Sequence, residues 1–125
     1  MMKQAVMILF VLISMATTLT SHALGLRLLD FMPAKYFSDK DWEMAKASAG
    51  KALKQGKEGE VFAWHNEENR HRGAYRVLNS LELDGKRCRD LYIQHRAGGY
   101  RGGGSYRFCQ MEGGEWKTLG RTPNE

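Results

Sequence analysis

From Ala74 to Leu119 the chain is a succession of alternating apolar and polar runs, each closed by a turn signal. In Ala74 to Leu83, Tyr75, Val77, Leu81 and Leu83 fall on one side of an extended backbone. Asp84-Gly85 follows, and an Asp-Gly pair between two such runs signals a two-residue type I′ hairpin. Arg87 to Arg96 is the next strand, with Leu91 and Ile93 on one face and Cys88 and Tyr92 on the other. Ala97 to Gly104 (AGGYRGGG) reads as a glycine-rich connection and Ser105 to Met111 as the returning strand. Gly113-Gly114 then turns into Glu115 to Leu119. Val61 to His65 is a short strand ahead of a polar connection, Asn66 to Gly73. The pattern predicts a meander of four to five antiparallel strands.

One helix precedes these strands. Ser38 stands at an N-cap with Asp41 three residues later, the spacing of a capping box. Asp39, Asp41 and Glu43 place negative charge where the helix dipole favours it. Trp42, Ala45, Ala49, Ala52 and Leu53 recur at steps of three and four and draw one narrow apolar stripe. Gly56 ends it. A stripe so rich in alanine lets the helix press close to a sheet, with Trp42 and Leu53 as anchors. The fold class is therefore α+β: one N-terminal helix packed on an antiparallel meander sheet.

Residues 1–23 carry an export signal. Lys3 gives a positive start, Ala5 to Leu19 is uncharged and apolar, and Ser21-His22-Ala23 places small residues where a signal peptidase cuts. The run is shorter than the ~20 residues that span a bilayer. The expectation is a cleaved signal with no transmembrane anchor afterwards; the alternative is an uncleaved signal anchor. Leu24 follows in place of a lipidation cysteine. Residues 24–37 form an apolar linker or docking segment, interrupted by Pro33, and residues 38–122 form one small domain. Export places the chain in the periplasm or cell envelope. The two cysteines, Cys88 and Cys109, then read as one disulfide clamping the base of the hairpin around the glycine-rich connection.

The chain has 19 Lys and Arg against 14 Asp and Glu, a net charge of +5. The excess is local: between Lys86 and Arg107 stand six basic residues and one acid, Asp90. In the cytoplasm such a stretch would suggest nucleic acid. Behind an export signal nucleic acid is not expected, and the anionic partners are lipid head groups, lipopolysaccharide or an envelope protein. Arg96, Tyr100, Arg101 and Arg107 are the candidate contacts, with Tyr100 and Arg101 set between glycines at the hairpin tip. The alternative is a solvated basic edge that keeps strands from pairing with neighbours. Arg89 is expected to pair with an acid on the adjacent strand, Glu82 being the nearest.

Several residues occur in an order that carries a resemblance. Ser38-Asp39-Lys40-Asp41-Trp42 opens the helix. Trp64-His65-Asn66 is a Trp-x-Asn element, followed by Gly73, then Gly85-x-x-Cys88-Arg89, Cys109, and Gly113-Gly114-Glu115-Trp116. Over roughly Ser38 to Leu119 this resembles the bacterial surface-antigen domain family typified by the rickettsial common surface antigen. The resemblance implies an exported envelope domain with a disulfide. It implies no enzymatic activity. The lipidation cysteine and glycine zipper of the antigen proper are absent here, so outer-membrane anchoring does not carry over.

Catalytic signatures are missing from the sequence, and neither a cofactor nor a metal is expected. His65 and His71 bracket Glu67 and Glu68, a set that could hold a divalent ion, but nothing fixes their spacing on one face. AGGYRGGG leads into a strand, not into the helix that a phosphate loop requires. The chain thus reads as an exported, non-enzymatic interaction domain. The alternative is a small accessory or inhibitor protein that docks on an envelope enzyme through Leu24 to Met32.

Overall fold

The computed structural model describes residues 33–123. The expected export signal and the apolar segment up to residue 32 lie outside the described residues. A 3-10 turn at Pro33–Tyr36 leads into helix α1, Asp39–Gln55. Ser38 is the N-cap: its hydroxyl accepts from Asp41 N–H, and the Asp41 carboxylate accepts from Ser38 N–H. The buried residues of α1 are Asp41 and the expected stripe, Trp42, Ala45, Ala49, Ala52 and Leu53. Gly56 closes the helix in an extended conformation. A side chain there would collide with the Ala52 carbonyl and Val77, so close approach is what requires glycine.

Five strands follow: β1 Val61–His65, β2 Arg72–Leu83, β3 Lys86–Ala97, β4 Tyr100–Gln110 and β5 Trp116–Arg121. They form one antiparallel sheet in chain order, with α1 packed over β1 and β2. Because side chains alternate across a strand, one face supplies the core: Trp64, Tyr75, Val77, Leu91, Ile93 and Phe108 against the alanines of α1. Phe37 packs edge-on against Trp42, Trp64 and His95, which joins the residues just before the helix to this core. Among the described residues no helix is long and apolar enough to cross a membrane.

Cys88 and Cys109 stand directly opposite each other on β3 and β4 and are joined by a disulfide, with Cα atoms 4.0 Å apart. The clamped hairpin differs from the expected one. Its connection is only Gly98-Gly99, both at positive φ, as a tight two-residue turn demands. Arg101 to Gly104 lie within β4 and pair with β3. Gly103 serves a steric need: a Cβ there would fall 1.9 Å from the Ile93 carbonyl oxygen. The glycine run is thus a strand, and at Gly103 backbone crowding requires the glycine that propensity disfavours.

Two further differences concern β2 and its neighbour. A bulge between Val77 and Asn79 shifts the register, so Tyr75 and Val77 face α1 while Leu81 pairs with Cys88 on the opposite face. Leu81 therefore leaves the apolar side on which simple alternation puts it. Arg89 does not engage Glu82, which pairs in register with Arg87. It crosses the core instead and donates at 2.7 Å to the Ala52 carbonyl, which also accepts from the Gly56 N–H, so Arg89 adds a second bond at the last turn of α1. Burial, with help from neighbouring Arg87, lowers its guanidinium pKa against an opposing contribution from Glu58.

Candidate functional site

At one end of the sheet the β1–β2 loop, the β3–β4 turn and the start of α1 come together. Asp41 organises this end. It is fully buried and accepts from Ser38 N–H, from the amides of Asn66 (2.8 Å) and Asn69 (3.1 and 3.0 Å), and from His71 Nδ1 (2.7 Å). Burial pushes its carboxyl up, but the bonds from Ser38, His71, Asn66 and Asn69 outweigh that and hold it down at about 2. The same asparagines shape the loop. Asn66 Oδ1 accepts from Glu68 N–H and Asn69 Oδ1 from His71 N–H, while Arg70 N–H closes onto the Asn66 carbonyl. Arg70 is held at φ 62°, a conformation uncommon for a residue with a side chain.

Beneath this loop runs a buried polar chain. Trp64 Nε1–H donates to the Tyr75 hydroxyl at 3.0 Å, and that hydroxyl lies 2.8 Å from His95 Nε2. Indole can only donate, so the Tyr75 oxygen accepts from Trp64, which leaves the hydroxyl proton free to point to His95 Nε2 as acceptor on a neutral imidazole. Burial agrees, pushing His95 down to about 4 and Tyr75 up. The Trp64 ring covers Gly73, where a Cβ would fall 2.4 Å from Nε1. Trp64 Nε1, the Tyr75 hydroxyl and His95 Nε2 thus face one another within the core, and the chain fixes these three side chains.

The face opposite α1 is different. Arg72 on β2, Arg96 on β3 and Arg101 on β4 are direct cross-strand partners, so three exposed arginines lie in a row across three strands. Like charges directly opposite on a sheet are destabilising. Among the described residues none of the three has an acidic partner within salt-bridge distance. Beside the row Arg76 stacks over Tyr92, its guanidinium 5.5 Å from the ring centre. A cavity of about 600 Å³ lies along this part of the sheet, lined by His65, Arg72, Gln94, Arg96 and Arg101 among others. A second, of about 430 Å³, opens at the sheet end between Arg70, His71, Arg96 and Arg101.

Of the four contacts expected from sequence, the structure brings together Arg96 and Arg101. Arg107 is engaged elsewhere: its Nε and an Nη donate to both oxygens of Asp90 across β3 and β4, and that bond raises its pKa. Tyr100 stacks on Tyr36, ring centres 5.4 Å apart and nearly parallel, and stays 59% exposed. Arg70 and Arg72 were not among the expected contacts. The signal for Arg72 lies in register: it is reached from Arg96 through the β2–β3 hairpin, whose bulge hides the pairing from a simple count. His71 is committed to Asp41, and among the described residues no group of three or more His, Cys, Asp or Glu is placed to hold a metal. Compared with known proteins, the chain matches no family model, no curated protein and no solved structure.

Proposed function

We propose that this chain is an exported, non-enzymatic envelope domain that docks on an anionic envelope component through Arg72, Arg96 and Arg101. The observation that carries the reading is the arginine row itself. Three cations in register weaken the sheet they sit on, and a counter-charge from outside the described fold would offset that cost. The sheet holds the row rigidly, since each arginine is on a strand and not on a loop, and the Cys88–Cys109 disulfide clamps two of those strands. A disulfide also suits an oxidising compartment. The surface-antigen resemblance belongs to this reading: Trp64, Asn66, Gly73, Arg89 and the two cysteines all serve packing or capping, as a shared scaffold without shared chemistry would require.

A photo-crosslinking residue in place of Gln94, exposed beside the row, tests the reading in cells expressing the exported chain. The expected result is a crosslinked anionic envelope component that disappears when Arg72, Arg96 and Arg101 are all changed to serine. Equal crosslinking by the triple variant would overturn the reading.

A further inference from the structure

We infer that the sheet end between the β1–β2 loop and the β3–β4 turn is a site for a phosphate monoester, gripped by Arg70, Arg96 and Arg101 and read by His71. The inference rests on the proposed anion-binding role of the arginine row and names the anion's chemistry.

Four observations converge there. The cavity of about 430 Å³ draws arginines from three separate elements: Arg70 from the loop, Arg96 from β3 and Arg101 from β4. Arg70 is set by the Asn66 turn at a positive φ, with hydrogen-bonded neighbours on both sides, so its backbone position beside the cavity is imposed by the loop. His71 donates through Nδ1 to the buried Asp41 carboxylate, which fixes the ring, and the same residue lines the cavity, so Nε2 is the ring nitrogen left to meet a ligand. The turn glycines, Gly98 and Gly99, complete the wall with backbone alone.

These features select for oxygen count and for a proton. A guanidinium grips two oxygens of a phosphate side by side, and arginines arriving from three directions suit a group with three terminal oxygens. A monoester has three, whereas a phosphodiester or carboxylate has two. A monoester's last proton also titrates near neutrality, so a single imidazole nitrogen can either donate to an oxygen or accept from a P–OH. Such a group can be carried by a soluble molecule or by a lipid head group.

The mature chain tests this with two kinds of probe. Glycerol 3-phosphate is titrated calorimetrically. Separately, the chain is floated with phosphatidylcholine vesicles containing phosphatidic acid, a monoester, or phosphatidylglycerol, a diester, at matched surface charge. The expected preference for the monoester is about tenfold or more, the loss of one bidentate pair. Binding to glycerol 3-phosphate supports a soluble source, and binding to phosphatidic acid vesicles alone supports a lipid one. Arg70→Ser and His71→Gln are expected to erase the preference while leaving general anion binding. Arg70→Ser is the safer variant, since its side chain is exposed, and an unchanged melting temperature confirms that the loop survives. Equal affinity for both vesicle types, with both variants indistinguishable from wild type and binding still lost in Arg96→Ser/Arg101→Ser, overturns the monoester site alone. Binding of no anion through Arg96 and Arg101 overturns the underlying reading as well.

Discussion

At the scale of single residues, two buried groups make stability depend on acid in the same direction. His95 is held at about 4 by burial, below its ordinary 6.5. The unfolded chain therefore binds the proton more readily across that window, so stability is complete above pH 6.5 and lost as pH falls toward 4. The loss amounts to about 3 kcal/mol. Asp41 adds a second loss below its ordinary 3.8, extending to about 2. Thermal melts at stepped pH should show the midpoint falling between pH 6.5 and 4. His95→Gln keeps an acceptor for Tyr75 without the titration and should flatten that window; an unaltered slope would contradict the assignment. Asp41→Ala should cost about 3 kcal/mol by urea unfolding, because it removes the N-cap partner and leaves the Asn66, Asn69 and His71 donors facing a void. None of these partners is legible from sequence. Asp41 reads as a capping residue from its spacing, but its bonds to Asn66, Asn69 and His71 span 25 to 30 residues and exist only once the loop has closed over the helix.

At the scale of elements, local patterns carry most of the fold. The helix is legible because the Ser38–Asp41 box and the Trp42-to-Leu53 stripe agree, and the β2–β3 turn because Asp84 and Gly85 both take the positive φ that their type demands. The β3–β4 hairpin was half legible. Its clamp follows from two cysteines behind an expected export signal, but three strand positions are disguised by glycine, whose low strand propensity is overridden at Gly103 by crowding against β3. The bulge in β2 is likewise invisible, since it turns on how two strands meet and not on either alone. The clamp has a measurable weight. Cys88→Ser with Cys109→Ser should lower stability by about 3 kcal/mol, the loop-closure value for such a separation, read as a shift in urea midpoint. A loss near zero would mean that the paired strands alone define the hairpin.

At the scale of the whole molecule, the two faces of the sheet divide the labour. One is spent on the core beneath α1; the other buries the Cys88–Cys109 disulfide and Asp90 toward one end and carries exposed arginines side by side at the other. That division yields a trade-off. Arg96→Thr places a good strand former between Arg72 and Arg101 and should stabilise the fold by about 0.5 kcal/mol while weakening anion binding, a pattern expected where function overrides stability. A solvated edge with no partner predicts the stabilisation without the loss. The most direct measurement of the central claim is therefore the salt dependence of binding to isolated envelope membranes. The wild-type chain from Leu24 onward is compared with the same chain in which Arg72, Arg96 and Arg101 are all serine. Wild type should bind at low salt and release as screening rises, with the Debye length near 10 Å at 0.1 M, and the triple serine variant should not bind at any salt concentration although it melts no lower. Equal binding by the two proteins, or wild-type binding that salt leaves unchanged, would contradict the account.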